Sequence, residues 1–176
     1  MPARVVTPQD LGKRLDVAET GETYLANARL KAEAGLRLSG MASLGEDSGL
    51  EVAGLGGRPG IHSNRFAGPN ASQSDLIRAL LDQMRDLRGS RAALFRTVAV
   101  MALPDGRHFE GEGILQGTIA DEPRGRGGFG FDPIFTLPDG RRLAELSVEE
   151  KNLVSHRARA LAELEVRGAF DAVLRS

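Results

Sequence analysis

Cysteine is missing from the 176-residue chain, which excludes disulfides, thiol nucleophiles and thiolate metal sites and fits a cytoplasmic protein. An excess of either charge is missing as well. Lys and Arg number 23 against 24 Asp and Glu, so neither a nucleic-acid surface nor a polybasic membrane patch is expected. No apolar run approaches the roughly 18 residues that suggest a membrane span, and the opening MPARVVTPQD lacks the apolar core of a signal peptide. There is no GxxxxGKS/T loop and no GxGxxG after a strand, so the common nucleotide-binding folds lose support. Internal repeats and low-complexity tracts are absent too. What is present, 41% apolar and 27% charged residues, is ordinary globular composition, and one domain over residues 1–176 is the default.

The stretch Met41 to Gly68, MASLGEDSGLEVAGLGGRPGIHSNRFAG, centres on Glu46-Asp47 followed by Ser48-Gly49. Ala42 to Leu44 lead in and Leu50 to Ala53 lead out, which predicts a solvent-accessible turn between two strand-like pieces. Two carboxylates there suit a hard divalent cation such as Mg2+, which is often held by one or two carboxylates together with a substrate phosphate. For the pair alone, a solvated acidic turn is the commoner reading.

Along the chain, Val5-Val6 predicts a short strand, Ala3 to Thr7, ended by Pro8. Thr23 to Leu38 reads as a helix with Leu25, Ala28, Ala32 and Leu36 on one face, Ser39-Gly40 as its stop, and Tyr24, Asn27 and Lys31 on a second face open to water or a ligand. The glycine-rich run from Gly54 to Gly60 suits close approach by a ligand or another loop. Ser72 to Leu87 is an amphipathic helix with a capping box at Ser72 and Asp75. Arg91 to Leu103 and His108 to Ile119 form a hairpin around Pro104-Asp105-Gly106. In its second strand Phe109, Gly111, Gly113, Leu115, Gly117 and Ile119 alternate onto one face, low enough for a helix or a neighbouring backbone.

Arg124 to Phe135, RGRGGFGFDPIF, gathers glycines and spaced aromatics into a loop suited to a flat ligand, with phenyl rings as stacking faces. A short strand-like piece spans Arg142 to Leu146. Ser147 and Glu150 form a capping box ahead of Lys151, and Ser155 caps a last helix holding Leu161, Leu164 and Phe170. His156 and Arg157 occupy that helix's first turn, the unfavourable end of its dipole for cations. An acidic turn for Mg2+, an aromatic loop for a planar base and a late Lys151, His156, Arg157 group for oxygen ligands together describe a nucleotide site.

ETGETYLANARLKA (Glu19 to Ala32), GEDSGLEVAGLGGRPGIHSNRFAG (Gly45 to Gly68), GGFGFDPIF (Gly127 to Phe135) and AELSVEEKNLVSHRARAL (Ala144 to Leu161) resemble, in order and spacing, the inosine triphosphate pyrophosphatase family, also called XTP/dITP diphosphatases. The resemblance implies an α/β fold with a long central mixed sheet flanked by helices and two lobes around a nucleotide-binding cleft. It implies a cytoplasmic homodimer that uses Mg2+ to hydrolyse ITP, dITP and XTP to the monophosphate and pyrophosphate. Asp47 matches the family's proton acceptor and Mg2+ ligand and Ser48 a substrate contact. Phe129, Gly130, Phe131 and Asp132 match the base-binding loop, and Lys151, His156 and Arg157 complete the nucleotide pocket.

Two positions depart from the family pattern. Its first strand and phosphate-binding loop have no counterpart ahead of Val5, which implies a start upstream of Met1. Ala26 stands where the family's helix carries a metal-site Glu. The rival reading is a non-catalytic nucleotide-binding or dimerisation protein, separated from the enzyme by binding without turnover.

Overall fold

The computed structural model describes residues 4–85 and 89–175. Among the described residues five α-helices and four strands follow the order α1 (Tyr24–Ser39), β1 (Ser43–Val52), α2 (Gln73–Met84), β2 (Ala92–Ala102), β3 (His108–Ile119), β4 (Phe135–Thr136), α3 (Val148–Val154), α4 (His156–Val166) and α5 (Ala169–Leu174). The strands form one sheet in the order β1-β2-β3-β4. β4 is antiparallel to β3, with Thr118 opposite Thr136 and Ile119 opposite Phe135. The chain divides into two compact units, Met1–Asp47 with Thr97–Gly113 and Arg159–Ser176, and Ser48–Arg96 with Ile114–Ala158. The α/β class, a sheet flanked by helices, is as the resemblance implies.

In the first unit, α1 begins where Thr23 accepts the Ala26 N–H and ends where Gly40 turns left-handed at φ 72°. Its Ala28 and Ala32 are fully buried with Val100 and Ala102. Gly45 of β1 lets the strand lie on that helix: a Cβ there would come within 2.3 Å of Ala32 N and 2.4 Å of Ala28 O. Gly111 does the same for α4, where an added Cβ would be 2.4 Å from Ala160 O. The low face read from the glycine spacing of β3 is therefore filled by a helix in this unit. Leu25, placed on the inner face by spacing, is instead exposed.

In the second unit, Leu76, Ile77, Leu80 and Met84 of α2 join Leu50, Val52, Phe95, Leu115, Phe131 and Phe135 in one core. Ser72 and Asp75 form the expected capping box, while Leu87 lies outside the described residues. The glycine run after β1 meets another loop: Gly54 N–H donates to Ser90 O at 3.0 Å, and a Cβ there would sit 2.5 Å from that oxygen. Gly117 accepts the neighbouring backbone of β4, its added Cβ meeting Thr136 O at 2.4 Å. Pro138-Asp139-Gly140 closes a tight turn in this unit, Gly140 N–H on Leu137 O at 2.9 Å, and the hairpin's Pro-Asp-Gly turn in the first unit closes as predicted, Gly106 N–H on Leu103 O at 3.0 Å.

Four local expectations are corrected. Residues 4–7 form no strand, and Val5 is 90% exposed. Glu46-Asp47 lies inside a continuous strand, not on a turn, because Gly45 serves close packing of an extended backbone against α1. Arg142 to Leu146 closes into a 3₁₀ turn, Leu143–Glu145, since the Glu145 carboxylate accepts the Arg142 N–H at 2.6 Å. The last helix is two helices, interrupted at left-handed Gly168, φ 77°, which leaves Phe170 on α5.

Candidate functional site

Asp47 is 4% exposed, and its surroundings within the first unit explain how a buried carboxylate is tolerated. Lys31 projects from α1, its Nζ 2.8 Å from Asp47 Oδ1. Asn27, one turn earlier and fully buried, directs Nδ2 at Asp47 Oδ2 at 3.3 Å. The Gly21 N–H donates to Asn27 Oδ1 at 2.8 Å, which fixes the amide so that its nitrogen faces the carboxylate. Lys31 also donates to Glu46 O at 3.0 Å and pairs with Glu19 Oε1 at 2.7 Å. Three ammonium protons thus meet three oxygen acceptors.

Electrostatically the cluster opposes itself. Burial pushes the Asp47 carboxyl above its ordinary range; the Lys31 ammonium and the Asn27 amide pull it back, and the Glu19 charge adds to the rise. Burial works to lower the Lys31 pKa, but hydrogen bonds and charge from Asp47 and Glu19 outweigh it and the net shift is upward. Asn27 and Lys31 are the residues that the sequence placed on a face open to water or a ligand without assigning them to the Asp47 site. Their i,i+4 spacing put them on one helix face, but only the fold shows that this face receives Asp47.

Mg2+ demands near-octahedral oxygen coordination, yet both Asp47 oxygens already accept from Asn27 and Lys31. Position 26 carries a methyl group, and among the described residues no group of three or more His, Cys, Asp or Glu side chains is placed to hold an ion. As a resident ion Mg2+ does not fit these side chains.

The second unit holds the remaining candidates. Asp132 is 1% exposed; its Oδ2 accepts the Phe129 N–H at 2.8 Å and binds the Lys151 ammonium. Gly128, at φ 73°, makes room for that pair, since a Cβ would sit 2.0 Å from Asp132 Oδ2 and 3.0 Å from Lys151 Nζ. Gly130 is also left-handed, φ 59°. The loop carrying them is pinned by Arg124 N–H on Pro133 O at 2.8 Å and Gly127 N–H on Ala144 O at 3.0 Å.

The two phenyl rings part company. Phe129 is 52% exposed, whereas Phe131 is 3% exposed and belongs to the core, so the expected stacking surface reduces to Phe129. Lys151 Nζ and Arg157 Cζ each lie 4.6 Å from its ring centroid, a cation–π arrangement. His156, 3% exposed, stacks on Phe95 with centroids 4.8 Å apart and planes at 13°. Phe95 in turn packs on Phe135 at 4.6 Å. The Ser155 Oγ accepts the Ala158 N–H at 3.1 Å, starting α4 so that His156 and Arg157 leave its first turn toward these rings. Ser48 is half-buried on β1, the first residue of this unit.

A family model described as the Ham1 family matches residues 2–166. The chain belongs to the Ham1 family. A relative from Symbiobacterium thermophilum named dITP/XTP pyrophosphatase is 48% identical over 148 residues, covering 84% of this chain and 74% of its own length. One of the same name from Syntrophobacter fumaroxidans is 45% identical over 175 residues, 99% of this chain and 74% of its own. The solved structure of the Staphylococcus aureus Ham1 protein superposes with a TM-score of 0.81 at 39% identity, covering 92% of this chain and 84% of that one. Among the described residues no helix is long and apolar enough to cross a membrane.

Proposed function

We propose that this Ham1 chain hydrolyses non-standard purine nucleoside triphosphates, dITP, XTP and ITP, to the monophosphate and pyrophosphate, a sanitising activity on the nucleotide pool. The observation that carries the reading is Asp47, a carboxylate held buried by Lys31 and Asn27, in a family whose similar members are named for that reaction. Its raised proton affinity suits a general base better than a solvent-exposed carboxylate would.

Asp47 orients and deprotonates the water that attacks the phosphorus nearest the sugar, and the proton ends on its carboxylate. Lys31, already against Asp47, favours the ionised carboxylate and holds it oriented until it takes that proton. Phe129 offers a stacking face to the purine, and Arg157 donates to the 6-keto oxygen of hypoxanthine or xanthine. An adenine 6-amino group would meet that guanidinium donor to donor, and a buried unpaired donor costs about 1–3 kcal/mol, enough for part of the discrimination. Asp132 acts by holding Lys151 and the Phe129 backbone, and Phe131 by anchoring the loop in the core. Ser48, Gly130 and His156 complete the substrate contacts.

Mg2+ belongs to this reading as the counter-ion of the nucleotide, since magnesium nucleotides need few protein ligands beyond their own phosphates. The family likeness further supports a cytoplasmic homodimer acting on free nucleotides, which sedimentation analysis checks. The test of the whole is pyrophosphate release from dITP, XTP and ITP with Mg2+, set against dATP and dGTP. Selective turnover that Asp47→Asn removes supports the reading; saturable binding of ITP with no turnover at any Mg2+ concentration overturns it in favour of a non-catalytic binding protein.

A further inference from the structure

We infer that Lys31 is the built-in cation of the Asp47 site: its ammonium, shared by Glu19 and Asp47, takes the place a divalent ion would fill, so the chain without nucleotide holds no Mg2+ there. The ammonium has no hydrogen-bonding capacity left, with acceptors at 2.7 Å on Glu19, 2.8 Å on Asp47 and 3.0 Å on the Glu46 carbonyl. These are oxygen ligands of the hard type that Mg2+ or Ca2+ selects, a pair of carboxylates and a backbone carbonyl. Here a protein cation coordinates them.

Two further observations close the site to a second cation. The other Asp47 oxygen faces the Asn27 amide nitrogen, whose orientation is set by the Gly21 N–H on the far side of the same amide, so a cation approaching Oδ2 meets a donor. Helix α1 presents only the methyl group of Ala26 just before Asn27, and an added Cβ on Gly21 would already be 2.7 Å from that methyl. With one positive charge already between two negative ones, a divalent ion must either repel Lys31 or displace it.

The experiment is a titration of the full chain with Mn2+ in place of Mg2+, free metal being read by electron paramagnetic resonance at neutral pH without nucleotide. The wild-type protein should leave Mn2+ free to about 1 mM, the weak end of carboxylate sites. Lys31→Gln, checked for its fold by circular dichroism, should bind one Mn2+ per chain at least about 10-fold more tightly, because two carboxylates lose their counter-ion. Glu19→Gln in that background should abolish the gain. Binding of one Mn2+ per wild-type chain at tens of micromolar, lost in Asp47→Asn, overturns the inference, and so does a folded Lys31→Gln that gains nothing. If Lys31→Gln fails to fold, the wild-type and Asp47→Asn titrations alone still decide. Since no nucleotide is present, the result stands apart from whether the chain hydrolyses ITP.

Discussion

Asn27 and Asp47 face each other from helix α1 and strand β1, amide nitrogen to carboxylate oxygen at 3.3 Å, with the amide locked from behind by Gly21. Asn27→Leu removes that donor and leaves a buried carboxylate oxygen unsatisfied, at a cost of about 1–3 kcal/mol. Thermal unfolding should register the loss. Pyrophosphate release from ITP should fall further than the stability change accounts for, because the carboxylate that loses its partner is the proposed base. Asn27→Asp sets a like charge against Asp47 and should lower activity more than Asn27→Leu does.

Asp47→Asn is the direct test of that base. Removal of a general base typically costs about 10²–10⁴ in rate, so kcat should drop by that order while the affinity for ITP changes little. Stability should move far less, since Lys31 keeps Glu19 and the Glu46 carbonyl as acceptors.

The pH profile follows from the same burial. Burial raises the Asp47 carboxyl above its ordinary 3.8, and the base must be ionised to work, so the acid limb of kcat/KM should lie above the range of an exposed aspartate. Lys31→Met removes the main influence opposing that rise and should carry the limb to higher pH. For stability the sign is opposite to that of a stabilised carboxylate. A raised folded pKa means the Asp47 contribution is fully present below the unfolded value and is lost as pH rises through the folded one. Lys31, raised from 10.5, behaves alike in its own range: its contribution holds below that value and disappears as alkaline pH passes its folded pKa. Urea unfolding across pH in wild type and Lys31→Met reads both contributions.

Helix α1, the capping boxes at Ser72 and Ser147, the long hairpin and its Pro-Asp-Gly turn were legible in the sequence because each is written in residues a few positions apart. The setting of Asp47 was not. Gly45-Glu46-Asp47-Ser48-Gly49 has the composition of a turn, and it becomes strand only because Gly45 lets β1 press on Ala28 and Ala32, residues distant in sequence. The same holds for RGRGGFGFDPIF. Its glycines announced a loop, but nothing local distinguishes Phe129 from Phe131, whose fates diverge through a core assembled from α2, β2 and β3.

That divergence separates binding from folding. Phe131→Ala empties a core position and should cost about 3–5 kcal/mol, lowering the melting temperature with whatever activity remains showing near-normal KM. Phe129→Ala truncates an exposed ring and should leave the melting temperature almost unchanged while raising KM for ITP. The purine would lose its stacking face, and Arg157 and Lys151 the ring that now orders them. Equal effects of the two substitutions on KM would remove Phe129 from the base site.

Gly128 connects the loop's backbone to the chemistry of its side chains. At φ 73° it occupies a region costly for any residue with a Cβ, and that Cβ would fall 2.0 Å from Asp132 Oδ2. Gly128→Ala therefore carries left-handed strain of about 1–3 kcal/mol and forces Asp132 away from Lys151 or from the Phe129 N–H. Losing either contact frees the loop, so KM for ITP should rise several-fold together with a fall in melting temperature. Gly130→Ala provides the contrast: its backbone is left-handed as well, φ 59°, but an added Cβ meets nothing within 4 Å. It should show the backbone strain without displacing Asp132, a drop in melting temperature with a smaller change in KM. Matching KM values for the two variants would mean that the Asp132–Lys151 pair does not position the nucleotide.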